Sequence, residues 1–209
     1  MPTRTRPTPK PLRVASIDVG SNAVRLLVAR HDHRGLTTLA EDRQPTQLAK
    51  DLATTGKLNP LGVQASLEAL ARFRATALAH DVHLIRAVAT AAVRDASDGQ
   101  RFVSLVQQKT GLSLEVISGD EEAALAFLSL SHRFDIAESP AAAIDIGGGS
   151  AQIILSTHGV AVRTLSMPLG AVRLTDEFGP SSLIATKAFP KLSRHADAVI
   201  ARSLDRETL

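Results

Sequence analysis

Short apolar-rich runs bounded by polar or glycine-containing turns occur over Leu12–Ile17, Ala23–Arg30 and Leu36–Asp42, and they read as three successive strands. Within the second, Arg25 alternates away from Val24 and Leu26. A solvated face is the simpler expectation for it, and a cleft-lining position the other. The period then becomes helical. Asn59 and Pro60 open a helix as N-cap and first residue, and Val63, Leu67, Leu70, Ala71 and Leu78 recur at helical spacing to Ala79. Val82–Ala89 is a strand, Thr90–Asp95 a connection carrying Arg94, and Gly99–Thr110 a helix with Phe102, Val103 and Val106 inward, ended by Gly111. Leu112–Ile117 is the next strand. A helix follows from Asp120, its expected cap, with Glu121 and Glu122 on its positive end and Ala123, Phe127, Leu130 and Phe134 at helical spacing. Strands recur at Ala141–Ile146, Ala151–Ser156 and Val160–Met167. Pro168-Leu169-Gly170 then opens a helix carrying Val172, Leu174 and Phe178. A last helix near Lys187–Arg206 places Ala188, Leu192, Ala196, Val199 and Ile200 on one face. This order of elements is that of an α/β protein.

The chemistry concentrates where two strands meet a glycine run, Ile144-Asp145-Ile146-Gly147-Gly148-Gly149-Ser150. Glycines leave backbone N–H groups uncovered and reach the φ values that let a loop wrap an anionic oxygen. An aspartate beside such a cradle suits a divalent cation. A glycine-rich hairpin whose aspartate caps its own turn is the plainer reading of this stretch alone. The same order, however, stands near the N-terminus as Ile17-Asp18-Val19-Gly20-Ser21-Asn22 between two apolar runs. A repeated strand–loop–strand unit predicts two similar domains whose loops approach one phosphate-bearing ligand from opposite sides of a cleft. Glu122 then falls at the junction between the two halves, where a carboxylate can take a proton from water aimed at phosphorus.

Composition narrows the function classes. The chain of 209 residues is 44% hydrophobic and 22% charged with a formal charge of only +3, an ordinary globular balance. Trp and Tyr are absent and no basic cluster is interleaved with aromatics, so no nucleic-acid partner is expected. The absence of cysteine excludes disulfides and thiolate chemistry and suits a cytoplasmic setting. No apolar run is long enough to span a bilayer, so no membrane partner is expected. Residues 1–11, rich in Pro, Thr, Arg and Lys, read as a disordered tail rather than a signal or transit peptide.

Five motifs, in order, resemble those of the exopolyphosphatase/guanosine pentaphosphate phosphatase (Ppx/GppA) family: residues 17–22, Ala89-Thr90-Ala91-Ala92-Val93-Arg94, Ile117-Ser118-Gly119-Asp120-Glu121-Glu122-Ala123, residues 144–150, and Leu169-Gly170-Ala171-Val172-Arg173-Leu174-Thr175. The resemblance implies the duplicated, ribonuclease H-like fold of actin, the Hsp70 ATPase and sugar kinases. A first domain is then expected over residues 12–135, and a second, incomplete one over 136–209. It also implies Mg²⁺-dependent hydrolysis of terminal phosphoryl groups of polyphosphate or guanosine penta- or tetraphosphate. Glu122 matches the general base, Arg94 a phosphate-contacting arginine, Asp145 the metal-side aspartate, and Asp18, Gly20, Ser21, Asn22 and Gly147, Gly148, Gly149, Ser150 the two phosphate loops. Three departures accompany it. Gln152, a weak metal ligand, stands where the family usually has a glutamate, and Ala124 where it usually has an arginine. The family also continues beyond position 209, and its longer members add a helical domain. Two functional readings follow: an active phosphoric anhydride hydrolase, or a shortened relative that binds phosphate or nucleotide with little turnover. A kinase of the same superfamily is a weaker third. The apolar face of the last helix exceeds what three strands need, so a homo-oligomer is expected.

Overall fold

The computed structural model describes residues 11–179 and 188–205; the tail expected over 1–11 lies, except for Pro11, outside them. The described elements are β1 (Leu12–Val19), β2 (Ala23–Asp32), β3 (Gly35–Pro45), α1 (Leu52–Thr55), α2 (Pro60–Ala79), β4 (Leu84–Ala89), α3 (Ala91–Asp95), α4 (Gly99–Thr110), β5 (Leu114–Val116), α5 (Gly119–Arg133), β6 (Ala141–Ile146), β7 (Ala151–Thr157), β8 (Val160–Met167), α6 (Ala171–Phe178) and α7 (Phe189–Asp205). Among these, no helix is long and apolar enough to cross a membrane.

β1 to β5 form one sheet in the order β3-β2-β1-β4-β5. β1 runs antiparallel to β2 and parallel to β4, because the chain returns through helices after β3. Alternation on β1 puts Ala15, Ile17 and Val19 into the core, packed with Leu70 and Phe73 of α2 and with Phe102 and Val106 of α4. Ser16 and Asp18 therefore point to the opposite face. β6, β7 and β8 form a second sheet, antiparallel throughout. α7 lays Val199, Ala196 and Ile200 against Ala151, Met167 and Ile153 on one face of it. α5 crosses the other face, where Gly119 meets Ser166 so closely that an added Cβ would lie 2.6 Å from its hydroxyl. The two sheets with their helices are called here the first and second lobes.

Several local expectations need correction. The first strand runs on to Val19, so Asp18 is a strand residue and the turn proper is Gly20–Asn22. On α2 the side chains of Ser66, Ala69, Leu70, Phe73 and Ala77 are buried, while Ala71 and Leu78 face solvent. Burying Phe73, the largest apolar side chain on this helix, sets its rotation. The cap of α5 is Ser118, whose hydroxyl accepts from the N–H of Glu121 at 3.1 Å; Asp120 lies in the first turn instead. Phe134, just past the end of α5, is exposed. The N-cap of α2 is as expected, with Asn59 Oδ1 accepting from the N–H of Gly62 at 2.9 Å.

The two copies of the repeat differ in burial. Ile17 and Val19 are 0% exposed, whereas their counterparts Ile144 and Ile146 are 65% and 67% exposed. β1 is flanked by β2 and β4 and roofed by α2 and α4, but among the described residues β6 has only β7 beside it and lies at the sheet edge. An unprotected apolar edge strand invites pairing with another chain. Association that rises with protein concentration is therefore expected in light scattering. Ile144→Lys, a charge on the edge away from Asp145, is expected to shift the chain toward monomer.

Candidate functional site

The first loop is fixed by the segment that follows β3. Gly20 N–H closes the turn on the Ala23 carbonyl at 3.1 Å, the Asn22 carbonyl accepts from Thr46 and Gln47, and the Ser21 carbonyl accepts from Ala49. The second loop is fixed by the start of α6. The Gly147 carbonyl accepts from the N–H of Ala171 at 2.9 Å, that of Gly148 from Val172 at 2.8 Å, and that of Gly149 from Nε of Arg173 at 3.1 Å. With their carbonyls turned to these partners, the N–H groups of Ser21, Asn22, Gly148 and Gly149 have no acceptor among the described residues. Uncommitted N–H groups of adjacent residues are what an anion-binding nest is built from.

The two loops touch. A Cβ on Gly149 would lie 2.5 Å from Ser21 Oγ and 2.9 Å from Ala91 Cβ, and one on Gly148 would lie 3.0 Å from Ser21 Cβ. Only glycine permits this approach. Beneath the loops opens a cleft of about 710 Å³. Asp18, Gly20, Ser21, Asn22, Glu122, Asp145, Gly147, Gly148, Gly149 and Ser150 all line it. Arg94 and Gln152 stand behind that lining.

Glu122 enters the cleft from the first turn of α5. Its Oε2 lies 3.3 Å from Arg94 Nη1, which also donates to the Ile117 carbonyl at 2.9 Å, and its Oε1 lies 3.5 Å from Ser150 Oγ. Burial raises its pKa above the ordinary carboxylate value; the Arg94 cation opposes that shift, and the charges of Asp18 and Asp145 add to it. Glu121 points elsewhere, paired at 2.8 Å with Arg86, which also holds Glu115. Asp18 is likewise raised, first by burial and then by Asp145, with Arg25 pulling it down. Gln152 is fully buried opposite Asp145 on the neighbouring strand, and its amide donates to Ser150 Oγ at 2.9 Å.

Arg25 is exposed as expected, but its exposed face is the cleft wall. It stands in register between Asp18 on β1 and Arg43 on β3, and both arginines line the cleft. Arg43 lay one residue past the expected end of its strand, so the sequence reading did not assign it. Thr90 and Ala91 also line the cleft from the β4–α3 turn. Strand parity and cross-strand register are the signals that find Arg25 and Arg43.

Among the described residues, no three His, Cys, Asp or Glu side chains converge on one metal-sized point. Asp18 and Asp145 repel one another across the cleft. Two carboxylates with room for water and phosphate oxygens suit Mg²⁺, which keeps several waters and rarely takes an all-protein cage.

A family model described as the Ppx/GppA phosphatase family matches residues 27–207. Exopolyphosphatase 1 of Mycobacterium tuberculosis is 31% identical over 192 residues, which make up 91% of this chain and 56% of that protein. The crystal structure of the Aquifex aeolicus Ppx/GppA family member is similar at a TM-score of 0.70 and 30% identity, covering 80% of this chain and 55% of that one. An exopolyphosphatase from Cytophaga hutchinsonii is similar at 0.76 and 29%, covering 79% and 53%. The chain spans about half the length of the curated relatives it matches.

Proposed function

The chain belongs to the Ppx/GppA phosphatase family, and from that premise we propose that it hydrolyses terminal phosphoanhydride bonds of inorganic polyphosphate or guanosine pentaphosphate with Mg²⁺. The observation that carries the reading is the pair of touching loops, whose residues with unspent N–H groups line the cleft that also receives Glu122. Phosphoryl transfer needs alignment and charge neutralisation more than covalent catalysis. In this reading the N–H groups of Ser21, Asn22, Gly148 and Gly149 bind the phosphate oxygens. Glu122 takes the proton of a water whose oxygen attacks the terminal phosphorus. The bridging P–O bond breaks and its electron pair leaves with the shortened chain. Burial lifts Glu122 toward the working pH of a general base, and Arg94 keeps its carboxylate aimed. Asp18 and Asp145 are the carboxylates that would hold Mg²⁺, which supplies positive charge to the phosphoryl oxygens.

Relatives named exopolyphosphatase support polyphosphate as the substrate class. Orthophosphate release with Mg²⁺ from long-chain polyphosphate and from guanosine pentaphosphate, measured side by side, tests the reading. Release from polyphosphate is expected. Binding of both without release would favour the second reading, a phosphate-binding module, which the neutral Gln152 supports. Gln152→Glu, placing a carboxylate opposite Asp145, is expected to lower the Mg²⁺ needed for half-maximal release by roughly tenfold, equivalent to about 1.4 kcal/mol. An unchanged Mg²⁺ titration would mean that position 152 serves Ser150 and not the metal.

A further inference from the structure

α6 belongs to the second lobe by sequence, yet its polar face grips the first. Arg173 donates through one terminal nitrogen to the carboxylate of Asp95, at the end of α3, while its Nε holds the Gly149 carbonyl at 3.1 Å. Three residues on, and so on the same helix face, Asp176 accepts from the N–H of Asp51 at 2.8 Å. Asp51 sits at a left-handed φ of 61° just before α1. Asp95 also follows Arg94, with an oxygen 3.8 Å from its Nε, and Arg94 holds Glu122. A string of polar contacts thus runs from the glycine loop through Arg173, Asp95 and Arg94 to Glu122, crossing to the first lobe at the Arg173–Asp95 pair and back to the second at the Arg94–Glu122 pair. Charge pairs at exposed surface sites contribute little. This one is three-quarters covered on the arginine side and spends two separate bonds of one guanidinium on two lobes. A planar fork suits that task, and a lysine ammonium does not.

We propose that Arg173 and Asp95 form a clasp that sets the closure of the two lobes and so positions the glycine loop of the second lobe against the Ser21 loop of the first. They are positioning residues: Arg173 meets the loop through the Gly149 carbonyl and, like Asp95, is not among the residues that line the cleft. The proposal rests on the reading above only in taking that cleft as the phosphate site.

The chain has no cysteine, so two introduced at Leu36 on β3 and Val160 on β8, which are 68% and 63% exposed, carry spin labels without background. Pulsed electron paramagnetic resonance then reads the distance between lobes, and calorimetry reads tripolyphosphate binding with Mg²⁺. Asp95→Ala and Arg173→Ala are each expected to broaden the distance distribution and to weaken tripolyphosphate binding about tenfold. Reversal of the pair, Asp95→Arg with Arg173→Asp, restores the inter-lobe ion pair without the bond to Gly149 and is expected to give a distribution narrower than that of either single variant. Arg173→Lys, able to reach one partner at a time, should fall between. Where an alanine variant loses its circular dichroism signal, Asp95→Asn and Arg173→Gln make the same comparison. An unchanged distribution in the folded single variants, or a reversed pair no narrower than they are, would overturn the clasp. Absence of tripolyphosphate binding in the unaltered protein would count against the phosphate reading and leave the distance test standing.

Discussion

Glu122→Gln is expected to lose about 10²- to 10⁴-fold in orthophosphate release, the range a positioned general base contributes, while leaving tripolyphosphate binding within a few-fold. Glu121→Gln, removing a side chain paired with Arg86 outside the cleft, is expected to change little. The two glutamates are sequence neighbours, but α-helical geometry turns successive side chains by about 100°, so only one can enter the cleft. The pH dependence follows from the same burial. Glu122 must be ionised to accept a proton, and its pKa lies above the ordinary value. Activity should therefore fall on the acid side at a pH above that of an unperturbed glutamate. For stability the sign is opposite. A carboxyl group whose folded pKa is raised binds its proton more tightly in the folded state, so it adds stability as the pH falls through the folded value. Above that pH the charged form opposes folding. Glu122→Gln removes that charge and should leave the unfolding midpoint near pH 8 no lower than in the unaltered protein. A Glu121 variant that abolished release while the Glu122 variant kept it would sink the assignment.

Gly170→Ala is expected to damage the site as severely without touching a charged group. The backbone there, φ −87° and ψ 154°, is open to any residue, so the effect is steric alone. The added Cβ would lie 2.3 Å from the carbonyl carbon and oxygen of Gly148 and 2.4 Å from the carbonyl carbon of Gly149. These are backbone atoms of the glycine loop, with no side chain to swing aside. Either the loop or the start of α6 must move. That breaks the bonds from Ala171, Val172 and Arg173 to the loop carbonyls, which aim its N–H groups. Overpacking of this kind costs roughly 1–3 kcal/mol, and the loop displacement should cost tripolyphosphate affinity by at least about tenfold. Gly35→Ala is the control: its φ of +98° strains an alanine, but nothing lies within 4 Å of the new Cβ. It should cost stability of about 1 kcal/mol and leave phosphate binding unchanged. Equal affinity losses in both variants would show that the loop contact is not what matters.

What the amino-acid sequence determined by itself is what local chemistry can specify. The bounds of α2 and α4 follow from Asn59-Pro60 and from Gly111, which takes a left-handed φ of 70°. Strands β6 and β8 end where their apolar runs end, at Ile146 and Met167. The repeated Ile-Asp-apolar-Gly units announced two facing loops, and Asp18, Asp145 and the glycines do line one cleft. Tertiary structure decided the rest. Arg25 and Leu78 have equally plain local patterns, yet one lines the cleft and the other faces solvent, because strand register and helix rotation answer to neighbours far along the chain. Arg173 stood in a motif with no partner to name until folding brought Asp95, 78 residues away, against it. Ile17 and Ile144 are the clearest pair. Each precedes an aspartate in the same strand pattern, and one is sealed while the other is open. Sequence alternation assigns a side chain to a face, but burial depends on whether another strand and another helix arrive to cover that face, as β4, α2 and α4 do for β1 and nothing described here does for β6.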